Sequence, residues 1–157
     1  MKKFVCIVGI SVAAFATHSV TVNADSHVPG AVKARQAVMQ LNQFYLGQLG
    51  AMATGKAEYN AEKALAAARS LKLIEADGID QSAMWIPGTS TAELGEATRA
   101  KPEIWTTWPA ITKEIGAAKK AIDAMAEQAG TLEGLQATIG AVGKSCSACH
   151  QYRASRN

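Results

Sequence analysis

The chain is 157 residues long, enough for one ordinary domain. Its 16 Lys plus Arg against 13 Asp plus Glu give a formal charge of +3, too even a balance for a nucleic-acid-binding protein, and no basic arm is present. Hydrophobic residues make up 48% of the chain but aromatic residues only 6%, so alanine carries much of the apolar count and helix is favoured over sheet.

The first segment is not expected to belong to the fold. Lys2 and Lys3 precede an apolar run from Phe4 to Ala16, and Val22-Asn23-Ala24 supplies the small residues of a cleavage site. This is the pattern of a secretory signal peptide over residues 1–24. The run falls short of the roughly 20 apolar residues that a spanning helix needs. Cleavage after Ala24 removes Lys2, Lys3 and Cys6 and leaves one domain over residues 25–157, whose cysteines are Cys146 and Cys149. The mature chain is expected to be periplasmic, exported and soluble, with no membrane span.

Four helical segments and no convincing strand follow. The first covers about Val28 to Ala53, with Val38, Leu41, Tyr45, Leu49 and Met52 at helical spacing and Gly55 as its stop. The second runs from an Asn60 N-cap to Ala76 and turns Ala64, Leu65, Ala68, Leu71 and Ile74 inward. Residues 77–100 form a long connection in which Ser90 and Glu93 spell a capping box, so one short helical turn is expected inside it. Trp85 and Ile86 are expected to tuck against the core. In the third segment Ile104, Trp108, Ile111, Ile115, Ala118, Ile122 and Met125 form a seam of three- and four-residue steps. Pro109 interrupts it and predicts a kink or restart near Thr107. The fourth begins near Thr131 and carries Leu132, Leu135, Ile139, Val142, Cys146 and Cys149 in the same rhythm. The fold class is therefore all-α, an antiparallel four-helix bundle.

Cys146-Ser147-Ala148-Cys149-His150 carries the chemistry. Two thiols two residues apart can add to the vinyl groups of a haem, and the adjoining histidine then falls under the iron as an axial ligand. A thioredoxin-like pair would need a strand beside a helix N-terminus. A structural zinc site needs four ligands, for which only Cys146, Cys149, His150 and His27 are available. A simple disulfide would leave His150 without a purpose. One covalently attached haem c is the reading. Gly140, Ala141 and Gly143 are small enough to admit a flat macrocycle beside the motif.

These residues resemble the class II cytochromes c, which include cytochrome c′. The motif lies near the C-terminus, after Val142-Gly143-Lys144. Arg35-Gln36-Ala37-Val38-Met39, Pro87-Gly88-Thr89 and Pro102-Glu103-Ile104-Trp105 fall in the family's order. The resemblance implies a haem near one end of a four-helix bundle, with Arg35 and Gln36 near its propionates. A single residue, Gln151, separates His150 from Tyr152-Arg153, one fewer than the family commonly has, which leaves the role of Arg153 open.

Met39 aligns with the distal position. In the low-spin branch of the family a methionine there ligates the iron, and the protein is a periplasmic carrier of single electrons, with His150 and Met39 as axial ligands. In cytochrome c′ the iron is five-coordinate, binds NO or CO, and Met39 only packs over the distal face. The electron carrier is the main reading and the gas-binding protein the alternative. No distal acid–base group aligns for an enzyme such as a peroxidase, so no catalysis is expected. Partners are expected to be redox proteins of the periplasm rather than nucleic acid, and the resemblance implies a homodimer.

Overall fold

The computed structural model describes residues 28–77 and 80–154. The signal segment with its cleavage point after Ala24, and His27, lie outside the described residues. Six α-helices are present among them: α1 Gly30–Ala53, α2 Ala61–Lys72, α3 Thr91–Leu94, α4 Glu103–Thr106, α5 Trp108–Gln128 and α6 Leu132–His150. The four long ones, α1, α2, α5 and α6, pack in sequence order, and α6 closes back on α1. This is the expected antiparallel four-helix bundle. Its most extensive contact is between α5 and α6.

Local chemistry sets the ends of these helices. The Asn60 side chain accepts the amide of Lys63 at 2.9 Å and starts α2. The Thr131 hydroxyl accepts the amide of Gly134 at 3.0 Å and starts α6. Beyond α1, Gly55 takes φ +71, a left-handed conformation that suits glycine. A Cβ on Gly134 would run into the carbonyl oxygen of Gln128, so the tight α5–α6 connection requires glycine there. The kink expected at Pro109 is a full interruption. α4 ends at Thr106, Thr107 leaves helical geometry at φ −119 and ψ 30, and α5 restarts with the proline in its first turn, where the missing amide costs nothing.

The core divides in two. Leu49, Met52, Ala64, Ala67, Ala68, Leu71, Ile122, Met125, Leu135 and Val142 form an aliphatic cluster along the bundle. Its alanines let helix backbones approach closely, and burial of each large side chain contributes about 1.5–3 kcal/mol. Tyr59 Oη donates to the Ala129 carbonyl at 2.8 Å and Gln136 Nε2 to the Ala53 carbonyl at 2.9 Å, tying two connections to the bundle. A second, smaller cluster gathers Ala100, Ile104 and Ile111 under Trp85, Trp105, Trp108 and Tyr152.

Several inward assignments shift. Leu41 is exposed, because the buried positions of α1 are Val32, Arg35, Val38, Leu49, Met52 and Ala53, and Leu41 lies off that stripe. Leu65 is half-buried and Ala67 takes its interior place. Ile86 is exposed while Trp85 packs inward as expected.

The second segment does not continue as α-helix to Ala76. After Lys72 it widens into a π-helical turn over Leu73–Asp77. The connection that follows is well organised. Ser90 and Glu93 form the expected capping box at the start of α3, flanked by 3-10 turns at Ser82–Met84 and Gly95–Ala97.

Candidate functional site

The last turn of α6 presents the chemical motif. Cys146 and Cys149 are three residues apart and His150 is four from Cys146, so all three project from one side of the helix. Both cysteines are free thiols and half-buried. Burial pushes both thiols up; the charge of Glu75 adds to this at Cys146, and Cys146, Glu114 and Glu75 add to it at Cys149. His150 is held below its ordinary value, first by partial desolvation and then by the cations of Arg153 and Arg99. An imidazole kept neutral at pH 7 has a nitrogen lone pair free to bind a metal.

A strap holds the segment after the motif. Ala100 and Arg153 form an antiparallel bridge, and the amide of Lys101 donates to the Tyr152 carbonyl at 3.1 Å. The amide of Ala154 donates to the Arg99 carbonyl at 2.8 Å, and Arg99 Nε returns a bond to the Ala154 carbonyl at 2.8 Å. This pairing fixes where Arg153 and Arg99 stand relative to His150. The isolated bridge is the one element of strand pairing among the described residues, and the sequence reading contained none.

Arg35 occupies the other polar focus. It is 5% exposed, and all four N–H bonds of its terminal nitrogens are used. Nη1 donates to the Met84 carbonyl at 3.2 Å and to Thr89 Oγ1 at 2.8 Å; Nη2 donates to the Thr89 carbonyl and to Thr98 Oγ1 at 2.8 Å. Its guanidinium carbon lies 5.1 Å from the Trp85 ring centre and 5.9 Å from that of Trp105, close enough for cation–π attraction. Trp105 Nε1 donates to the Trp85 carbonyl at 2.9 Å and locks the two indoles together. Arg35 therefore clasps the 84–98 connection, a role absent from the sequence reading. Gln36 is exposed and donates to the Ala97 carbonyl at 3.0 Å, fastening the same connection.

Met39 lies one residue round the helix from buried Val38 and is 41% exposed. Gly140, Ala141 and Gly143, expected to admit the macrocycle, are exposed, and a Cβ on either glycine would meet no atom within 4 Å. Glu75 and Arg99 were missed by the sequence reading. No motif marks them; their proximity to α6 comes from packing alone.

The residues fit a covalently attached haem. Two thiols and a neutral imidazole converge on one helix face, and no cluster of His, Cys, Asp or Glu suited to a bare metal ion is present among the described residues. The buried cation of Arg35 hydrogen-bonds only to neutral oxygens, so an anionic group beside it would be welcome. Bundle and motif together define a c-type haem protein of the four-helix-bundle class.

Comparison with known proteins narrows this class. The family model described as Cytochrome C′ matches residues 30–153. A cytochrome c′ of Cereibacter sphaeroides is 33% identical over 127 residues, covering 80% of this chain and 83% of that one. The solved cytochrome c′ from Rhodobacter spheriodes superposes with a TM-score of 0.75 at 34% identity, covering 80% and 96% of the two chains. A variant of the cytochrome c′ from Alcaligenes xylosoxidans, solved in its ferrous form with bound NO, gives a TM-score of 0.67 at 32% identity, with 80% and 94% covered. A further cytochrome c′, described by its ligand-controlled dimer dissociation, gives 0.71 at 31%, with 80% and 95% covered. The chain belongs to the cytochrome c′ family and carries a covalently attached haem c.

That membership corrects the main functional expectation. The relatives are cytochromes c′, the branch set against the low-spin carrier in the sequence analysis, and nothing in the match favours the low-spin branch. The six-coordinate electron carrier with Met39 as a ligand is therefore abandoned. The family includes homodimers. No helix among the described residues is long and apolar enough to cross a membrane.

Proposed function

We propose that this protein is a five-coordinate cytochrome c′ of the periplasm that binds NO and CO. The observation that carries the reading is the thiol–thiol–imidazole set on the last turn of α6, in a chain that matches cytochrome c′ from residue 30 to 153. Cys146 and Cys149 would hold the haem through two thioether links, and His150 would ligate its iron from α6. A haem iron with one protein ligand would supply a binding site for a diatomic gas.

The chain's own residues prepare that site. The strap from Arg99 to Ala154 holds the end of α6 and limits the swing of His150. Arg99 and Arg153 disfavour protonation of its imidazole. Met39, on α1, would offer an apolar side chain over the bound haem, which would disfavour water and strongly hydrated anions while admitting NO and CO. Arg35 offers positive charge to a haem propionate while its terminal N–H groups hold the connection. Gln36 lies beside it.

Export by the signal segment 1–24 puts the mature chain in the periplasm, where redox proteins of that compartment would be its partners. Mass measurement of the purified protein tests this and should give a chain beginning at Asp25. Leu41 and Phe44, exposed together on α1, make the natural contact for a second copy in a homodimer.

The deciding experiment is an absorption spectrum of the ferric and the ferrous protein, with and without CO. High-spin spectra in both states and full CO uptake are expected. Low-spin spectra and a ferrous form that ignores CO would overturn the reading.

A further inference from the structure

Glu75 is a carboxylate held in place near the motif. It sits in the π-helical turn Leu73–Asp77, an irregularity that swings side chains off the α-helical stripe and recurs at functional sites. Asn42 Nδ2, from α1, donates to Glu75 Oε1. Gln81 Nε2 donates to Glu75 Oε2 at 3.3 Å and to the Ile74 carbonyl at 3.2 Å. Both carboxylate oxygens are thus engaged by neutral amides.

Asn42 reveals the strength of this arrangement. Its Oδ1 is buried and has no hydrogen-bond partner. Leaving a buried acceptor unpaired is unfavourable, so the orientation of Asn42 is set by its bond to the carboxylate. Asn42 and Gln81 therefore act as a clamp that fixes where the carboxylate stands. Asn42 lies one helical turn after Met39 on α1, so its bond holds the Glu75 carboxylate against the face of α1 read as turning towards the haem, and the same carboxylate helps to push up the Cys146 thiol.

We propose that Glu75, clamped by Asn42 and Gln81, sets the reduction potential of the haem by holding a negative charge beside its attachment edge. The inference rests on the reading of Cys146 and Cys149 as the attachment residues. Reduction takes one electron into ferric iron and removes one unit of positive charge, with no proton transferred. A fixed negative charge nearby stabilises the ferric state more than the ferrous state and lowers the potential. A half-buried carboxylate is less screened than a surface one, so the effect persists at physiological salt. Arg99 and Arg153 act in the opposite sense from the His150 side.

The test is a spectroelectrochemical titration of the haem-loaded protein. Glu75→Gln removes the charge and keeps the shape, and its midpoint should move to a more positive potential. Glu75→Asp restores the charge and should return the midpoint towards the wild-type value. An unchanged midpoint in Glu75→Gln, or a Glu75→Asp midpoint no different from that of Glu75→Gln, would overturn the proposal. Should Glu75→Gln fail to accumulate, Asn42→Ala keeps the charge but lets the carboxylate turn to water. A smaller positive shift is then expected, and no shift counts against the proposal. Covalent haem content and spin state are read on the same samples. Retained covalent haem and spin state with an unmoved midpoint defeats the role of Glu75 alone; wild-type protein without covalent haem defeats both readings.

Discussion

The two ends of this bundle are held together by different physics. Along the bundle, α1, α2, α5 and α6 meet through alanine, leucine and methionine, with Leu49, Leu71, Met125 and Leu135 almost wholly buried. At the other end a smaller cluster under Trp85, Trp105 and Trp108 surrounds an arginine with four hydrogen bonds into a connection. Cys146 packs against the first cluster and Tyr152 against the second, so the motif straddles their junction. The aliphatic end supplies non-directional stability, whereas the polar–aromatic end fixes positions, because hydrogen bonds fail when their geometry drifts.

The largest effect expected is loss of the cofactor. Replacing Cys146 and Cys149 together with alanine should leave protein whose haem extracts entirely into acidified solvent, while the wild type retains it. Haem still attached to the double variant would break the link between the motif and both clusters.

Within the aliphatic end, Leu49→Ala and Leu135→Ala should each cost about 2–5 kcal/mol in denaturant unfolding, from lost burial plus a cavity. Gln43→Ala, on the same helix but exposed, should change stability by less than about 0.5 kcal/mol. Equal losses at Gln43 and Leu49 would mean that the α1 stripe has been misplaced.

At the polar–aromatic end, Arg35→Ala removes bonds from a charged donor and leaves the Thr89 and Thr98 oxygens without it. A loss of about 1.5–3 kcal/mol is expected for a charge-assisted bond of this type. The sharper signature is location. Hydrogen exchange should speed up over residues 84–98 while amides of α2 and α5 keep their protection. Uniform loosening of the whole bundle would show that the two ends are one cooperative unit.

The smallest effect concerns Glu93. Its carboxyl is held below the ordinary carboxylate range by the Ser90 hydroxyl at 2.5 Å and the Ser90 amide at 2.9 Å. A lowered folded-state value means that this stabilisation is complete above the ordinary Glu range and disappears as pH falls through the folded value. Exchange at the start of α3 should therefore accelerate on acidification below about pH 4, once its pH-dependent intrinsic rate is removed. Ser90→Ala removes the hydroxyl but keeps the amide, so it should shrink that acid step and cost about 0.5–2 kcal/mol as a lost cap. An acid step of undiminished size in Ser90→Ala would assign it to another carboxylate.

Much of this could be read from the sequence, for local reasons. Capping at Asn60, Ser90 and Thr131 and the restart at Pro109 depend on residues within one turn of each other. The seams of α5 and α6 are visible because burial repeats with the helix. The haem motif was legible because thioether attachment needs two thiols at a fixed short spacing beside a histidine.

Other features had no local cause. Arg35 reads as a surface residue until its partners 49 to 63 positions away are brought to it. Glu75 meets Asn42 across 33 positions and gains its place from a π-helical turn that no periodicity announces. The pairing of Arg99 with Ala154 spans 55 positions and decides where the cations around His150 stand. The sequence by itself determined the bundle and its covalently attached haem, since both follow from short-range spacing and covalent chemistry. Tertiary structure alone decided which charges stand near Cys146, Cys149 and His150, because a charge is placed by whatever its backbone packs against, and that is settled only when distant segments meet.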